Sequence, residues 1–290
     1  MTDPGDRWAV AVAAGRRAGR SLSLSAARAA RAPVGERLGA LGGDSIEFME
    51  HRAYEPGDDL RRVDWGVYAR TDALVVRRYH AEVSPRLDLF IDDSRSMDRP
   101  GTVKADAAVA VAAALIEAAR RDGLRPRSFL AGTRARPLPE PPASFAQLAF
   151  DGRTGAAPDL RAAAGERPGL RILITDTLFP SDPAAALRPL ARGGVSAALV
   201  CVLTRDEREP ERLRGRRLID AETGERSDIE VNDRVIDEYR ARLARHLSSW
   251  ASAARATGVA FAELTAEDAF DGRSLAIGGL LRSGLAEARP

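Results

Sequence analysis

The sequence predicts an open α/β fold, in which a mostly parallel sheet is covered by helices on both faces and a small β-rich annex is attached. Short apolar runs alternate with helix-like segments from Leu87 onward, and the crossover lengths suit a parallel sheet. The run at residues 195–203 is almost entirely apolar, which is typical of a central strand buried on both faces. Polar residues follow two of the runs directly, and ligands of such folds bind at the carboxyl ends of strands.

Length and composition indicate one large domain and one smaller unit. The chain has 290 residues, of which 44% are hydrophobic. This is enough for one core of about 200 residues with a smaller unit appended. We expect an N-terminal, partly flexible tail at residues 1–42, a small β annex at 43–85 and a main domain at 86–290 with a hairpin insertion at about 205–231.

No segment of the sequence indicates a membrane span or export. We find no apolar run of about 18 residues, the length that a transmembrane helix needs. The first residues, Met-Thr-Asp-Pro-Gly-Asp-Arg, are acidic before they are basic and precede no sustained apolar core, unlike a secretory signal. We therefore expect a cytoplasmic protein that has no membrane contact.

The charge pattern disfavours an Arg-rich nucleic-acid-binding protein, which stays an alternative. The 44 basic residues are offset by 42 acidic ones for a net charge of +2, and the two signs alternate along most segments, as on solvated and paired surfaces. Lys104 is the only lysine. The histidines, His51, His80 and His246, are far apart, and the single cysteine, Cys201, lies in an apolar run. A zinc site has no support.

The N-terminal third begins with a segment of doubtful order. Residues 1–42 are rich in Ala, Arg, Gly and Ser, with one helix-like patch at 25–32. Residues 45–54 then alternate apolar and charged, which predicts a strand with one solvated face, and residues 74–79 predict a second strand. Between them, Glu55-Pro-Gly-Asp-Asp59 predicts a turn, and one of its two aspartates caps a helical turn at 60–65.

The annex carries more charged and aromatic side chains than a core needs. These side chains could form a docking surface for a partner, or they could form a hydrogen-bonded lid that fixes the annex on the main domain, and both uses are typical of such clusters. The residues in question are Arg52, Tyr54, Asp58, Asp59, Arg61, Asp64, Trp65 and Arg70.

Each element of the main domain has a local signal. The segment from Lys104 to Glu117 is apolar nearly all round, which predicts a buried helix. Asp182-Pro183 predicts a helix start, and Asn232 or Asp233 predicts the cap of a long helix with apolar residues at core spacing. The further elements expected are a helix at 184–192, a hairpin at 218–226 that bends at Gly224, a long helix at 233–256, a strand at 258–264 and a closing helix at 274–285.

Polar residues at the ends of two strands form a candidate metal site. Asp92, Ser94 and Ser96 follow the run that begins at Leu87, and Asp176 follows the run at 169–175. Thr154, a threonine flanked by glycines, lies in a loop before the second run. Carboxylates and hydroxyls suit a hard cation, so we expect Mg²⁺, or else Mn²⁺ or Ca²⁺. The alternative is that the two aspartates cap helices and the serines form turns.

These five positions resemble the metal-ion-dependent adhesion site of von Willebrand factor A domains, in which the ion accepts a carboxylate from a binding partner. The segment Arg52-Ala-Tyr-Glu-Pro-Gly-Asp-Asp-Leu-Arg-Arg-Val-Asp-Trp65, with Ala69-Arg70, Glu82 and the Asp-x-Ser-x-Ser-Met97 strand end, resembles the bacterial domain of unknown function 58 family. The resemblance runs from Gly42 to near the end. It implies a von Willebrand A-like, Rossmann-like fold and a partner, a MoxR-type AAA ATPase. Lys104 resembles a position often basic in that family.

Our leading hypothesis is a non-catalytic, Mg²⁺-dependent binding module that acts as an adaptor or partner of a MoxR-type AAA ATPase. The ion would accept an Asp or Glu of the partner, and Asp93 would point away from it. Lys104 could contact the partner carboxylate or pair with Asp98 or Asp106. The alternative from another class is a metal-dependent hydrolase of phosphate esters, which would require a base or nucleophile beside the ion.

Overall fold

In the computed structural model the chain divides into two compact units, Met1–Ala32 with Pro85–Pro290 and Pro33–Ser84. The structure describes residues 8–24, 46–56, 58–81, 86–139, 141–152, 157–158, 160, 169–192, 196–215, 218–220, 224–227 and 230–289. The helix-like patch expected at 25–32 lies outside these residues. Among the residues described, no helix combines the length and the apolar character needed to cross a bilayer.

The larger unit is built on a six-stranded sheet. Its strands, in spatial order, are β11 (Val259–Thr265), β8 (Ser196–Leu203), β7 (Gly169–Thr175), β4 (Arg86–Asp92), β5 (Arg125–Ala131) and β6 (Ala135–Leu138). All neighbours are parallel except β5 and β6, which pair antiparallel at the edge. The open, mostly parallel α/β sheet predicted from the sequence is therefore confirmed.

Helices cover both faces of this sheet. In β4, Leu89 and Ile91 belong to one apolar core and Phe90 to another, because successive side chains of a strand point to opposite faces. The larger helices are α1 (Ala9–Gly19), α3 (Lys104–Arg121), α4 (Pro183–Ala191) and α6 (Asp233–Thr257). Side chains of α1 and α3 pack in the first core, and side chains of α4 and α6 in the second.

Shorter elements complete the larger unit. Strands β9 (Leu218–Ile219) and β10 (Arg226–Ser227) pair antiparallel, and Gly224 between them has a positive φ, as the expected bend requires. The long helix α6 begins at its Asn232 cap. The remaining short helices are α5 (Arg205–Arg208), α7 (Ala266–Ala269) and α8 (Gly278–Arg282).

The smaller unit contains the expected antiparallel pair. Strands β2 (Ile46–Ala53) and β3 (Val75–Ala81) pair antiparallel. Between them lie a 3-10 turn at Leu60–Arg62 and the helix α2 (Trp65–Thr71). Asp59 caps the turn through the backbone N–H of Arg61, and Asp64 caps α2 through the backbone N–H groups of Gly66 and Val67. Because each cap satisfies otherwise unpaired helical N–H groups, the acidic residues of this segment fix its local shape.

The segment at residues 1–42 was predicted to be a partly flexible tail, but residues 8–24 of it contain the helix α1 and the strand β1 (Leu22–Leu24). Helix α1 packs against α3 at very short range, since a Cβ atom on Gly15 would lie 2.1 Å from the carbonyl oxygen of Ala110. Trp8 is buried and donates its indole N–H to the Leu148 carbonyl at 3.1 Å. The Ala- and Gly-rich composition that suggested a flexible tail is what allows this close approach. It also explains why α3 is apolar all round.

The prediction of one closing helix at 274–285 is wrong. Only the five residues of α8 are helical there, and strand β12 (Ala286–Ala288) follows. This strand pairs antiparallel with β1 (Leu22–Leu24). The carboxylate of Asp122, at the end of α3, accepts hydrogen bonds from the backbone N–H of Leu24 at 2.7 Å and from Arg289 at 2.6 Å. Strand β1 and the residue after β12 are thus both bonded to the end of α3.

From the close contact between α1 and α3 we predict that a larger side chain at Gly15 destabilises the fold. The substitution Gly15→Leu would force the two helices apart, and we expect the free energy of unfolding to fall by about 1–3 kcal/mol. The substitution Ala13→Leu, on the exposed face of the same helix, is the matched control and should change it by less than about 0.5 kcal/mol. Urea denaturation measures both, and equal stabilities of the two variants would contradict the contact.

Candidate metal centre

The site begins at the carboxyl end of β4, where the strand stops at a buried carboxylate. Asp92 is 0% exposed. One of its oxygens, Oδ1, accepts the backbone N–H of Ser94 at 2.9 Å, and the other, Oδ2, accepts the hydroxyl of Thr175 at 2.5 Å. Strands β4 and β7 pair in a register that sets Ile91 beside Ile174. The two strands therefore end level with each other, which brings Asp92 to the end of β7.

The hydroxyl oxygens of Ser94 and Ser96 lie 3.1 Å apart. Ser94 precedes a 3-10 turn, Arg95–Met97, which turns the chain back so that both serines lie on one side. Two neighbouring oxygens in an octahedral Mg²⁺ site are about 2.9 Å apart, since each lies about 2.0–2.1 Å from the ion at a right angle. The serine pair has the spacing of two adjacent ligands.

Asp176 is the second buried carboxylate of the site, directly after β7. Its Oδ1 accepts the backbone N–H of Leu178 at 2.9 Å, and its Oδ2 accepts the ammonium of Lys104 at 2.7 Å. The hydroxyl of Ser96 also bonds to this carboxylate. The next residue, Thr177, is buried and has a φ of +63°, an uncommon conformation for a residue with a branched side chain. The backbone thus turns sharply beside Asp176.

The two carboxylates have opposite pKa shifts. Burial, and then the charge of Asp176, raise the pKa of Asp92 to about 6, against the hydrogen bonds from Thr175 and Ser94. Burial acts in the same direction on Asp176, but the charge and hydrogen bond of Lys104, with the bonds from Leu178 and Ser96, hold the pKa of Asp176 below its ordinary value. Lys104 therefore compensates the charge of Asp176, while the charge of Asp92 is unfavourable where it lies.

Lys104 was predicted to be a partner-binding residue, and its burial contradicts that prediction. Its side chain is 0% exposed, and its ammonium donates to Asp176 at 2.7 Å, to Glu207 Oε1 at 2.9 Å and to the Ser96 carbonyl at 3.2 Å. Burial lowers the pKa of Lys104, but the two carboxylates raise it by more. The expected pairing was with Asp98 or Asp106. A lysine enclosed in this way is part of the site's interior and presents no surface to a partner.

Glu207 is a site residue that the sequence interpretation missed. It lies in α5, where its backbone N–H and carboxylate form a capping box with Thr204. Its Oε1 accepts both Lys104 and, at 3.3 Å, Arg99. The signal was present, since Thr204-Arg-Asp-Glu207 directly after a buried strand has the spacing of a capping box. That pattern predicts a helix start at the same edge of the sheet, with Glu207 in its first turn.

The buried Asp93 carboxylate contacts the edge strand and two glycines. Its Oδ2 accepts Arg136 of the edge strand β6 at 2.9 Å, and its carboxylate packs against Gly132 and Gly152, where a Cβ atom would lie 2.7 Å and 2.2 Å from Oδ1. The expectation that Asp93 points away from the ion stays a prediction. Its charge is met by Arg136.

Four of the five predicted ligands come together, and the fifth, Thr154, lies outside the described residues. Gly152, which precedes Thr154 in sequence, pairs with the residues that follow β4. The backbone N–H of Gly152 donates to the carbonyl of Asp93 at 2.9 Å, and Gly152 forms a parallel bridge with Ser94. The described donors, two hydroxyls between two carboxylates, are hard oxygens and fit a small divalent cation. Among the described residues, no three His, Cys, Asp or Glu side chains come together as metal ligands.

Several predicted docking residues of the smaller unit have internal partners. Arg52 pairs with Asp58 at 2.7 Å, and Asp64 bonds to His51 at 2.9 Å. The Asp59 carboxylate accepts the backbone N–H of Arg61, and the Arg70 guanidinium donates to the Gly66 carbonyl at 3.1 Å. Tyr54 is half-buried. The carboxylates of the predicted surface therefore stabilise the unit itself.

An aromatic and arginine surface remains exposed on the smaller unit. The Trp65 side chain is 57% exposed and that of Arg61 is 93% exposed. Leu60 and Tyr68 are exposed beside them in sequence, and Tyr68 contacts the Trp65 ring edge to face. None of the seven residues of α2 is buried. Of the predicted docking residues, the structure leaves Asp59, Arg61, Trp65 and Arg70 exposed.

The fold and site define an α/β protein with a cup of hydroxyls and carboxylates at the carboxyl edge of its sheet. The sequence profile described as "Protein of unknown function DUF58" matches residues 50–249. Because this match covers more than half of the chain, the protein belongs to the DUF58 family, as its motifs indicated.

Relatives and solved structures are similar over much of the chain. The uncharacterised proteins Mb1516 of Mycobacterium bovis and Rv1480 of Mycobacterium tuberculosis are each 29% identical over 247 residues, covering 77% of this chain and 76% of theirs. BatB from Bacteroides thetaiotaomicron is 11% identical with a TM-score of 0.36, covering 62% of this chain and 90% of that one. A von Willebrand factor type A protein from Catenulispora acidiphila is 19% identical with a TM-score of 0.30, covering 60% and 45%.

From the burial of Lys104 between two carboxylates we predict that removing its charge destabilises the fold. Lys104→Met would leave the carboxylates of Asp176 and Glu207 without their shared cation, and we expect the free energy of unfolding to fall by about 3–5 kcal/mol. The control is Arg242→Met, which breaks an exposed pair with Glu238 and should cost less than about 0.5 kcal/mol. Urea denaturation in EDTA measures the free energy of unfolding of both variants. A decrease of less than about 1 kcal/mol for Lys104→Met would contradict the buried ion pairs of Lys104 with Asp176 and Glu207.

The raised pKa of Asp92 predicts a pH-dependent difference in stability. Between pH 3.8, its ordinary pKa, and about 6, its pKa in the folded protein, the folded state binds more protons than the unfolded state. The contribution of Asp92 to the free energy of unfolding therefore decreases as the pH rises through this window. An asparagine side chain does not titrate, so the stability of Asp92→Asn relative to wild type should rise by up to about 3 kcal/mol from pH 4 to pH 7.

Denaturation at several pH values in EDTA measures this difference between the variant and the wild type. The control is Asp182→Asn, at the exposed cap of α4. A gap between Asp92→Asn and wild type that stays constant from pH 4 to pH 7 would contradict the raised pKa.

Proposed function

We propose that this DUF58 protein is a non-catalytic protein-binding module that depends on a divalent cation, Mg²⁺ first of all. The observation that carries the proposal is the pair of serine hydroxyls, 3.1 Å apart, between the buried carboxylates of Asp92 and Asp176. Hydroxyls add no charge, so they complete the shell of a hard cation without neutralising it. This donor set suits an ion that must still attract a further anionic ligand.

Asp92 and Asp176 would anchor the ion, and Ser94, Ser96 and Thr154 would complete its shell. When bound, the ion supplies a positively charged coordination position for an Asp or Glu side chain of a partner. The chain's own residues prepare the site. The Ser94 backbone and the Thr175 hydroxyl orient Asp92, and the Leu178 backbone orients Asp176. Preformed ligands reduce the ordering cost of binding.

The partner that we propose is a MoxR-type AAA ATPase, for which this protein would act as an adaptor. The likeness of its motifs to a family associated with such ATPases supports this partner. The exposed Trp65 and Arg61 on the smaller unit support a protein-binding role, because Trp and Arg are enriched where proteins bind one another. An acidic side chain on the ATPase would provide the carboxylate, and apolar and acidic groups would suit the second surface.

The proposal predicts cation-dependent capture of the ATPase. A MoxR-type ATPase of the source organism, passed over the immobilised protein, should be retained in Mg²⁺ and lost in EDTA. We expect Ser94→Ala/Ser96→Ala to reduce retention by roughly tenfold or more, since it removes two ligands. The matched control is Ser252→Ala, an exposed position of α6 close to where the helix ends and β11 begins, at the opposite edge of the sheet, and its retention should equal that of wild type.

Two results would count against this function. Retention of the ATPase that is unchanged by EDTA and by the double serine variant would remove the cation from the interaction. Turnover of a phosphate ester that is present in wild type and lost in Asp92→Ala would assign the site to hydrolysis. Circular dichroism of each variant establishes that it is folded.

A further inference from the structure

We infer that Lys104 sets how tightly the site holds its cation, as a positioning residue that shares Asp176 with the ion. The inference rests on the proposed function, because it concerns the same site. The Lys104 ammonium and the Ser96 hydroxyl both bond to the Asp176 carboxylate. The charge of Asp176 is therefore divided between a fixed cation of the chain and any ion held by the serine pair.

Lysine is suited to this position in a way that arginine is not. The chain has 44 basic residues, and Lys104 is the one lysine among them. Its three acceptors belong to three segments, the turn after β4, the end of β7 and helix α5, and all lie 2.7–3.2 Å from one nitrogen. An ammonium can point three N–H groups at converging oxygens, whereas a planar guanidinium spreads its donors in a fork.

Two effects of Lys104 on ion binding oppose each other. Its charge weakens the attraction of Asp176 for a second cation, and this effect is strong because the pair is shielded from water. Its hydrogen bond also orients Asp176, which would favour binding. The second effect is replaceable, since the Leu178 N–H, at 2.9 Å, and the Ser96 hydroxyl already hold this carboxylate. The repulsion between Lys104 and the ion therefore outweighs the orienting effect of the hydrogen bond, and Lys104 lowers the affinity of the site for the ion.

A lowered affinity has a consequence for the partner. If the ligands of the site neutralise only part of the ion's positive charge, the ion still attracts one more carboxylate strongly. The ion and an acidic side chain of a partner would then each strengthen the binding of the other to the protein, which is positive coupling. Lys104 would make the ion's occupancy depend on the partner.

Mn²⁺ titration by calorimetry tests the role of Lys104, with Mn²⁺ as the probe ion. The variants compared are Glu207→Gln and Lys104→Met/Glu207→Gln, because the glutamine removes the carboxylate that Lys104→Met would leave unpaired. We expect the double variant to bind Mn²⁺ roughly 10–100-fold more tightly than the single one. Arg99→Gln is the matched control, since Arg99 contacts Glu207 and lies on no ligand carboxylate described above, and its Mn²⁺ affinity should equal that of wild type.

The outcomes distinguish this inference from the proposed function. If wild type binds Mn²⁺ and the two variants bind it equally, or the double variant binds it more weakly, then the inference is wrong and the proposed function stands. If neither wild type nor the double variant binds Mn²⁺, both fail. If only the double variant binds Mn²⁺ in the absence of a partner, Lys104 lowers the affinity of wild type below detection, which supports the inference, and capture of the ATPase in Mg²⁺ and in EDTA then decides the proposed function. Lys104→Gln/Glu207→Gln gives the same comparison if the methionine variant does not fold.

Discussion

Lys104 donates three hydrogen bonds from a fully buried ammonium group, and each goes to a different segment at the carboxyl edge of the sheet. A buried charge is tolerated only when its partners are complete. The positions of the Ser96 carbonyl, Asp176 and Glu207 are therefore tied together. A shift of any one of these segments would leave an ion unpaired in the interior. The rigidity of the site follows from this constraint.

The constraint produces an asymmetric pair of carboxylates. Asp176 has a cation of its own, whereas the partners of Asp92 among the described residues are neutral donors, and the pKa shifts of the two groups go in opposite directions for that reason. The hydroxyls of Ser94 and Ser96 lie between them. Both carboxylates are hydrogen-bonded, but in the described part of the chain only the charge of Asp176 is compensated by a neighbouring cation. The asymmetry depends on helix α3, which carries Lys104 and is buried in turn by α1.

The fold and four candidate ligands were predictable because their signals are local. Apolar runs that end in Asp92 and Asp176 identify strand ends, and a cap such as Asp182 marks a helix start within a few residues. The partners of Lys104 were not predictable, since they lie 72 and 103 positions along the chain and only the fold brings them near. Helix α1 was missed because its packing surface consists of alanine and glycine, which hydrophobic periodicity weights too little.

The pairing of β1 with β12 joins Leu22 to Ala288, so β1 leaves the ribosome long before its partner strand is translated. Until that partner emerges, β1 has an open edge, and closing so long a loop costs entropy that local contacts cannot offset. The sheet strands between them can pair sooner. Biosynthesis would thus complete the periphery of this unit last, after its central strands have formed.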